Sequence, residues 1–361
     1  MLFGAMVCTK IDDWQIIPYA ESLGYDSAWV PDSQMIWSDC YATLALAAWH
    51  TSRIRLGTGV AVAGTRLAPV TAHSIASINR IAPGRVFLGL GTGHTAMRLM
   101  GQDPVPIGEF RDYLRVVRGL LDGEEVEYTH RGKTRAIAFM HREQGFIDLA
   151  HRVPIYVGAN GPLALRAAGA YGDGRIAAGN EPVNVLQRSL GRMRGGAEEV
   201  GRTLTGEFHT AALTFACVLK PGEKPTSDRV IDETGAEVAS TLHYWYDIYR
   251  RTGSDAFVSD SVRDLWNDYL KHVAAMATPE DRRFREIHLG HCTFLVPSER
   301  RFITPDMIKV SGGLVGEPDE LVERLRGMEA AGLKEVALLQ PMASARSSLK
   351  DFAEQVIRRY R

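Results

Sequence analysis

The segment from Ile155 to Gly179, IYVGANGPLALRAAGAYGDGRIAAG, constrains the fold more than any other part of the chain. Ile155 to Gly158 is a short apolar run of strand type. Asn160-Gly161-Pro162 breaks that run and starts a helix, since proline is tolerated in the first helical turn, where its missing N–H leaves nothing unpaired. Leu163 to Tyr171 is rich in alanine and leucine, which favour helix. Gly172-Asp173-Gly174 ends the helix, and Arg175 to Ala178 resumes as a buried strand. The segment is therefore a βαβ unit. A helix whose first N–H groups emerge from a glycine turn at the carboxyl end of a strand can bind an anion. On these residues alone a phosphate site and an ordinary connecting turn stand level. The turn is not GxGxxG, and it lies mid-chain rather than at the first βα connection.

The same alternation runs through the chain. Strands are expected at Leu2 to Cys8, Ser27 to Val30, Ile54 to Val62, Arg85 to Leu90, Ile155 to Gly158, Arg175 to Ala178, Ala211 to Leu219 and Glu335 to Gln340. Helices are expected from Asp12 or Asp13 to Leu23, stopped by Gly24, then at Cys40 to His50, Pro69 to Ile81, Ile107 to Leu121, Leu163 to Tyr171, Val183 to Val200, Glu317 to Ala331 and Ser347 to Tyr360. Eight βα units in one alternation predict an α/β fold, a parallel (β/α)8 TIM barrel, over an open doubly wound sheet. The open sheet would place its glycine turn in the first unit. Two interruptions are expected on a single domain spanning 1–361. Residues 124–140 read as an inserted hairpin around Arg131-Gly132-Lys133. Residues 220–305, which carry Tyr244, Trp245, Tyr246, Tyr249, Trp266 and Tyr269, read as an insertion after strand seven covering the barrel mouth. Those aromatics suit a substrate pocket or a packing element equally.

Composition narrows the function. A formal net charge of −1 over 361 residues excludes a broad electrostatic footprint for nucleic acid or an anionic membrane. No apolar run approaches the length of a membrane span. Met1 to Thr9 has no basic region and enters a strand directly, so no signal peptide is expected and the reading is cytoplasmic. Cys8, Cys40, Cys217 and Cys292 form neither a CxxC pair nor a zinc spacing, and no metal is expected.

A barrel of this kind carries its site at the carboxyl ends of the strands. That rule selects Pro31, Asp32, Ser33, Gln34 and Trp37 after strand two, and Gly57, Thr58, Gly59 and Val60 after strand three. It adds Gly91, Thr92, Gly93 and His94 after strand four, Gly158 to Gly161 after strand five, and Gly179, Asn180 and Glu181 after strand six. Glycine at four of these ends is expected to let a flat ligand approach the backbone closely.

Four stretches carry a family resemblance: GYDSAWVPDS (Gly24 to Ser33), IRLGTGV (Ile54 to Val60), GRVFLGLGTGHTA (Gly84 to Ala96) and GPLALRAAGAYGDGRI (Gly161 to Ile176). Through them the chain resembles the luciferase-like monooxygenase superfamily, (β/α)8 barrels that bind FMN or the deazaflavin F420. The last stretch looks most like the branch of F420-dependent glucose-6-phosphate dehydrogenase and methylenetetrahydromethanopterin reductase. The resemblance implies an acidic residue near the cofactor ring at Asp32 and a non-proline cis peptide behind the ring at Gly59-Val60. It places the cofactor tail along Thr92 and Gly93, and the phosphate on Gly161 and the amides after it. Thr58, Gly158, Asn160, Pro162 and Asn180 complete the implied cofactor contacts, and Trp37 matches an aromatic that flanks the reacting face.

Three positions depart from the sugar dehydrogenase. Ser33 stands where it has a histidine base, His94 where it has a glutamate, and Glu181 near a lysine that meets phosphate. The sugar phosphate and its base are therefore not carried over. Ser33, Trp37 and His94 are the candidate catalytic residues. His94 could move a proton, since imidazole titrates near neutrality, or could only hold the cofactor by a hydrogen bond. His50 reads as structural, and His73 as a cap or packing residue. His288 and His291 could share a helix face, with no third metal ligand evident.

The expected function is F420-dependent hydride transfer to or from a small organic substrate. The alternative is an FMN-dependent monooxygenase that uses O2. A separate flavin or F420 reductase is the implied protein partner, and the family's habit implies a homodimer. A barrel that binds flavin without turning it over would have a degraded mouth, which these strand ends do not show. A metal-dependent hydrolase would need more strand-end ligands than Asp32 and His94.

Overall fold

A computed structural model describes residues 1–361. Eight principal strands form its parallel sheet: β1 (Leu2–Met6), β2 (Ser27–Val30), β3 (Arg55–Thr58), β4 (Val86–Gly91), β5 (Ile155–Gly158), β6 (Gly174–Ala178), β7 (His209–Thr214) and β8 (Glu335–Leu339). A short strand at Ala61–Val62 continues β3 after a break. The strand order is β3-β2-β1-β8-β7-β6-β5-β4, with Ala61–Val62 beside β4, and β3 also pairs with β4, which closes the sheet. The fold is a (β/α)8 barrel.

By internal contacts the chain divides into two compact units. The first is Met1–Ala212 with Met328–Ala337, and the second is Leu213–Gly327 with Leu338–Arg361. The helices of the first are α1 (Ile16–Leu23), α2 (Cys40–His50), α3 (Ala68–Ile81), α4 (Ile107–Leu121), α5 (Pro162–Tyr171) and α6 (Val183–Glu198). Phe110, Leu114, Val117 and Leu121 of α4 recur at three- and four-residue spacing and are all buried, so one stripe carries its packing. Gly24 closes α1 at φ 92°, where its N–H bonds the Ala20 and Glu21 carbonyls. Asp12 and Asp13 do not cap α1. They sit in a separate 3-10 turn, Ile11–Asp13, and α1 begins three residues later. The hairpin forms as Val126–His130 against Lys133–Ile137.

Inside the first unit, at the amino ends of its strands, lies a polar network absent from the sequence reading. Glu335 is fully buried and accepts from Ser27 Oγ, from Trp29 Nε1 at 2.7 Å, and meets His209 Nε2 at 2.7 Å. Burial alone would raise the Glu335 pKa, but His209 and these donors together hold it below the usual glutamate range. Trp29, Phe87 and Tyr156 pack around the network with centroids 4.4 to 5.8 Å apart.

The second unit holds α7 (Asp228–Thr252) and α8 (Arg263–Ala274), together with α10 (Ala345–Phe352); α9 (Pro318–Ala330) begins in it. The strand expected over Ala211 to Leu219 is broken: β7 ends at Thr214, and Ala216–Val218 pairs instead with Leu314–Gly316 in a separate parallel pair. Trp266 and Tyr269 are fully buried in this unit's core, with Trp245, Tyr246 and Tyr249 packed against it. Of the six aromatics, these five therefore pack this core, and Tyr244 is the exposed one.

Candidate active site at the carboxyl ends of the strands

The site can be built from β2 outward. Asp32 follows β2 and is only 4% exposed, so its carboxylate needs partners. It has four. Oδ2 accepts from Arg66 Nη1 at 2.7 Å and from the Val62 N–H at 3.2 Å. Oδ1 accepts from Gln34 Nε2 at 2.5 Å and from the Cys40 thiol at 3.4 Å. Burial and the Asp32 charge push the Cys40 thiol far above its ordinary pKa, so it remains a donor. Arg66 also reaches Asp39 Oδ2 at 2.9 Å, while Asp39 Oδ1 caps α2 through the Ala42 N–H. The guanidinium lies 4.8 Å over the Tyr41 ring. Arg66 thus ties the end of β2 to the connection after β3, a role the sequence reading missed. Its only signal was a cation shortly after a strand end.

The Gly59–Val60 peptide is cis, as the resemblance implied. Thr58 is buried, and its hydroxyl donates to the Gly89 carbonyl at 2.7 Å. Several strand-end glycines also have a packing reason. A Cβ at Gly57 would strike Phe87, one at Gly59 would strike Met6 and Trp29, and one at Gly91 would strike Val60. A Cβ at Gly93 would strike Val62 and Met97, and its φ is +74°. Neighbouring protein atoms by themselves leave no room for a side chain at these four. Gly161 differs: nothing lies within 4 Å of its Cβ position.

After β4, Thr92 and Gly93 are half-buried, and the Thr92 carbonyl accepts from Val105 N–H. His94 is half-buried and heads a short helix, Thr95–Leu99, where its carbonyl accepts from Arg98 N–H. Ser33 and Trp37 share one turn, in which the Ser33 carbonyl accepts from Trp37 N–H at 3.0 Å.

After β5, Gly158 is half-buried, and Asn160, Gly161 and Pro162 are exposed. Gly161 caps α5 at φ −77°, ψ 156°, with Pro162 in the first turn. Asn160 Oδ1 accepts from the Ala178 N–H at 3.2 Å, which joins this turn to the end of β6. Asn180 and Glu181 follow β6. Glu181 is paired with Arg175 of β6 through two bonds of 2.7 Å each. A phosphate suits this turn, since a glycine with an open Cβ side precedes helical N–H groups and the macrodipole's positive end.

The remaining histidines lie elsewhere. His50 ends α2 and stacks on Trp14 at 4.4 Å. His73 is exposed on α3, neither capping nor packing. His288 and His291 share no helix face, because the helix Arg283–Ile287 ends before both. In the second unit His243 meets Glu299 at 2.8 Å. Burial, with His288 and His243 nearby, pushes His291 down to about 3, and burial pushes Glu237 up to about 8.

Fold and strand-end residues together define a (β/α)8 barrel suited to a ring-bearing phosphorylated cofactor. Residues 14–335 match the luciferase-like monooxygenase family, and the chain belongs to it. It is 37% identical over 210 residues to the 5,10-methylenetetrahydromethanopterin reductase of Methanolobus tindarius, a match that covers 58% of this chain and 62% of that relative. It is 27% identical over 357 residues to the F420-dependent glucose-6-phosphate dehydrogenase of Beutenbergia cavernae, covering 95% of this chain and 91% of that one. Among solved structures it superposes on the F420-dependent tetrahydromethanopterin reductase of Methanopyrus kandleri with TM-score 0.67 and 24% identity, covering 100% and 99% of the two chains. It also superposes on the FMN-bound oxygenating constituent of 3,6-diketocamphane monooxygenase of Pseudomonas putida, with TM-score 0.63, 17% identity and coverage of 99% and 98%.

Proposed function

We propose that the chain is an F420-dependent oxidoreductase that moves a hydride to or from a small organic substrate. The observation that carries this reading is the likeness to F420-dependent enzymes along nearly the whole chain, while the exposed Asn160-Gly161-Pro162 turn at the head of α5, with open space beside Gly161, gives a phosphate a place. F420-dependent enzymes among the relatives support it. The charge of Glu181, which stands near the sugar dehydrogenase's phosphate-binding lysine, is matched by Arg175.

When bound, the deazaflavin supplies the hydride chemistry. The chain's residues would do the rest. Gly161 and the amides after it hold the phosphate, with Gly158, Asn160, Pro162 and Asn180 shaping the turn. Thr92 and Gly93 would hold the tail, and Thr58, Gly59 and Val60 would hold the ring. Asp32 presents a carboxylate fixed by Arg66, Gln34, Cys40 and the Val62 amide, so its charge needs no reorientation during reaction. Trp37 excludes water from the reacting face, and Ser33 offers a hydroxyl. The His94 imidazole exchanges the proton that accompanies hydride transfer. Residues 220–305 select the substrate, and the enzyme works as a cytoplasmic homodimer supplied by a separate F420 reductase. Anaerobic mixing of F420-loaded protein with alcohols, aldehydes and imines, followed at the cofactor absorbance, tests the reading. Hydride exchange with one class supports it, whereas O2 consumption by FMN-loaded protein alone would overturn it.

A further inference from the structure

Arg175 is out of place in an apolar strand. Its side chain is 1% exposed, yet it carries a permanent charge. Its Nε donates to the Ala159 carbonyl at 2.7 Å, and Nη2 reaches Asn160 Oδ1 at 3.3 Å. Both acceptors immediately precede Gly161. The two Nη groups then grip Glu181 in a fork, at 2.7 Å each. Lysine could not make this set of bonds, because its ammonium has no planar fork. One buried side chain therefore joins the turn after β5 to the connection after β6.

We propose that Arg175 and Glu181 set how strongly the turn after β5 holds a phosphorylated ligand: Arg175 positions the turn and supplies a buried cation, and Glu181 is the counter-charge that holds the affinity down. The inference rests on the cofactor reading above. Without ligand the pair is neutral, and a phosphate arriving at Gly161 meets the helix dipole, the Arg175 charge and the opposing Glu181 charge. Removing only the Glu181 charge leaves Arg175 short of a counter-ion, which the phosphate then provides. At separations on the order of 8 Å and an effective dielectric of about 20 to 40, that change is worth roughly six- to thirtyfold in affinity. Glu181 is thus a specificity residue, and Arg175 a positioning residue.

The test uses the full chain and two probes: F420, and its phosphate-free deazaflavin alcohol, each titrated by cofactor fluorescence at low and high salt. Glu181→Gln is expected to bind F420 about six- to thirtyfold more tightly, with the gain shrinking in high salt and none for the phosphate-free probe. Its unliganded melting temperature should fall while its F420-induced stabilisation grows. Arg175→Lys, which keeps the charge but not the fork, should weaken F420 more than the phosphate-free probe. Equal affinities in wild type and Glu181→Gln, or equal changes for both probes, would overturn the proposal. Wild-type protein that binds F420 normally while Glu181→Gln is unchanged sinks this inference alone. Wild-type protein that binds neither F420 nor FMN sinks the cofactor reading, and this inference with it.

Discussion

Two glycines separate structural need from ligand need at single-residue resolution. A Cβ at Gly89 would lie 2.1 Å from the Thr58 carbonyl oxygen, in a buried strand with no slack. Gly89→Ala should therefore lose about 3 kcal/mol or more in chemical denaturation. At Gly161 φ is −77° and the Cβ side is open, so Gly161→Ala should be neutral or about 0.5 kcal/mol more stable. The same variant should bind cofactor several-fold more weakly if the phosphate sits on this turn, because the added methyl occupies the open space beside it. Unchanged cofactor affinity in Gly161→Ala would remove the turn from the site. A third residue, Glu335, gives a pH signature. Its folded pKa lies below the unfolded one, so its contribution is present above the unfolded value and is lost as pH falls through the folded value. Denaturation midpoints should drop more steeply between neutral and acidic pH in wild type than in Glu335→Gln. The variant should itself be less stable at neutral pH by about 3 kcal/mol, since it leaves His209 without its carboxylate. The cis Gly59-Val60 peptide was legible because it lies at a strand end within a familiar motif. Arg66, Arg175 and Glu335 were not, because their partners are 34, 6 and 126 residues away or hidden in the strand pattern.

Secondary-structure elements were legible to the extent that one periodicity governed them. The βα units from β2 to β6 agree with the sequence in kind and nearly in boundary, because each strand is a short apolar run bounded by glycine or a cap. The segment after β7 was not legible. Its apolar run continues past Thr214, and the chain's departure into a separate pair with Leu314–Gly316 is decided by a partner about 98 residues away. The aromatic-rich α7 and α8 could have faced a ligand or a core, and packing claims five of the six rings. α7 also carries a titration test. Glu237 is buried and its pKa is raised to about 8, so the unfolded chain ionises first and the residue costs stability progressively from its unfolded pKa up to pH 8. Glu237→Gln should match or exceed the wild type at pH 7, by on the order of 3 kcal/mol at most, with a larger gain at pH 8 than at pH 5. An equal difference at pH 5 and pH 8 would mean that the carboxyl is ionised in the native protein.

For the molecule as a whole, family and barrel follow from the sequence match and the closed sheet, while the proposed F420 dependence rests on the character of the relatives. Alternation over eight units was strong enough to predict closure, because an open doubly wound sheet normally carries its glycine turn in the first unit and here it lies in the fifth. Substrate choice was beyond the sequence, since residues 220–305, the segment expected to shape the pocket, carry no motif. The most direct test of the central claim is an equilibrium titration of the purified chain with F420 and, separately, with FMN, followed by absorbance and fluorescence under anaerobic conditions. The account predicts saturable F420 binding at about one equivalent per chain, weakened in Gly161→Ala and tighter than any binding of FMN. Tight FMN binding with no F420 binding would contradict it.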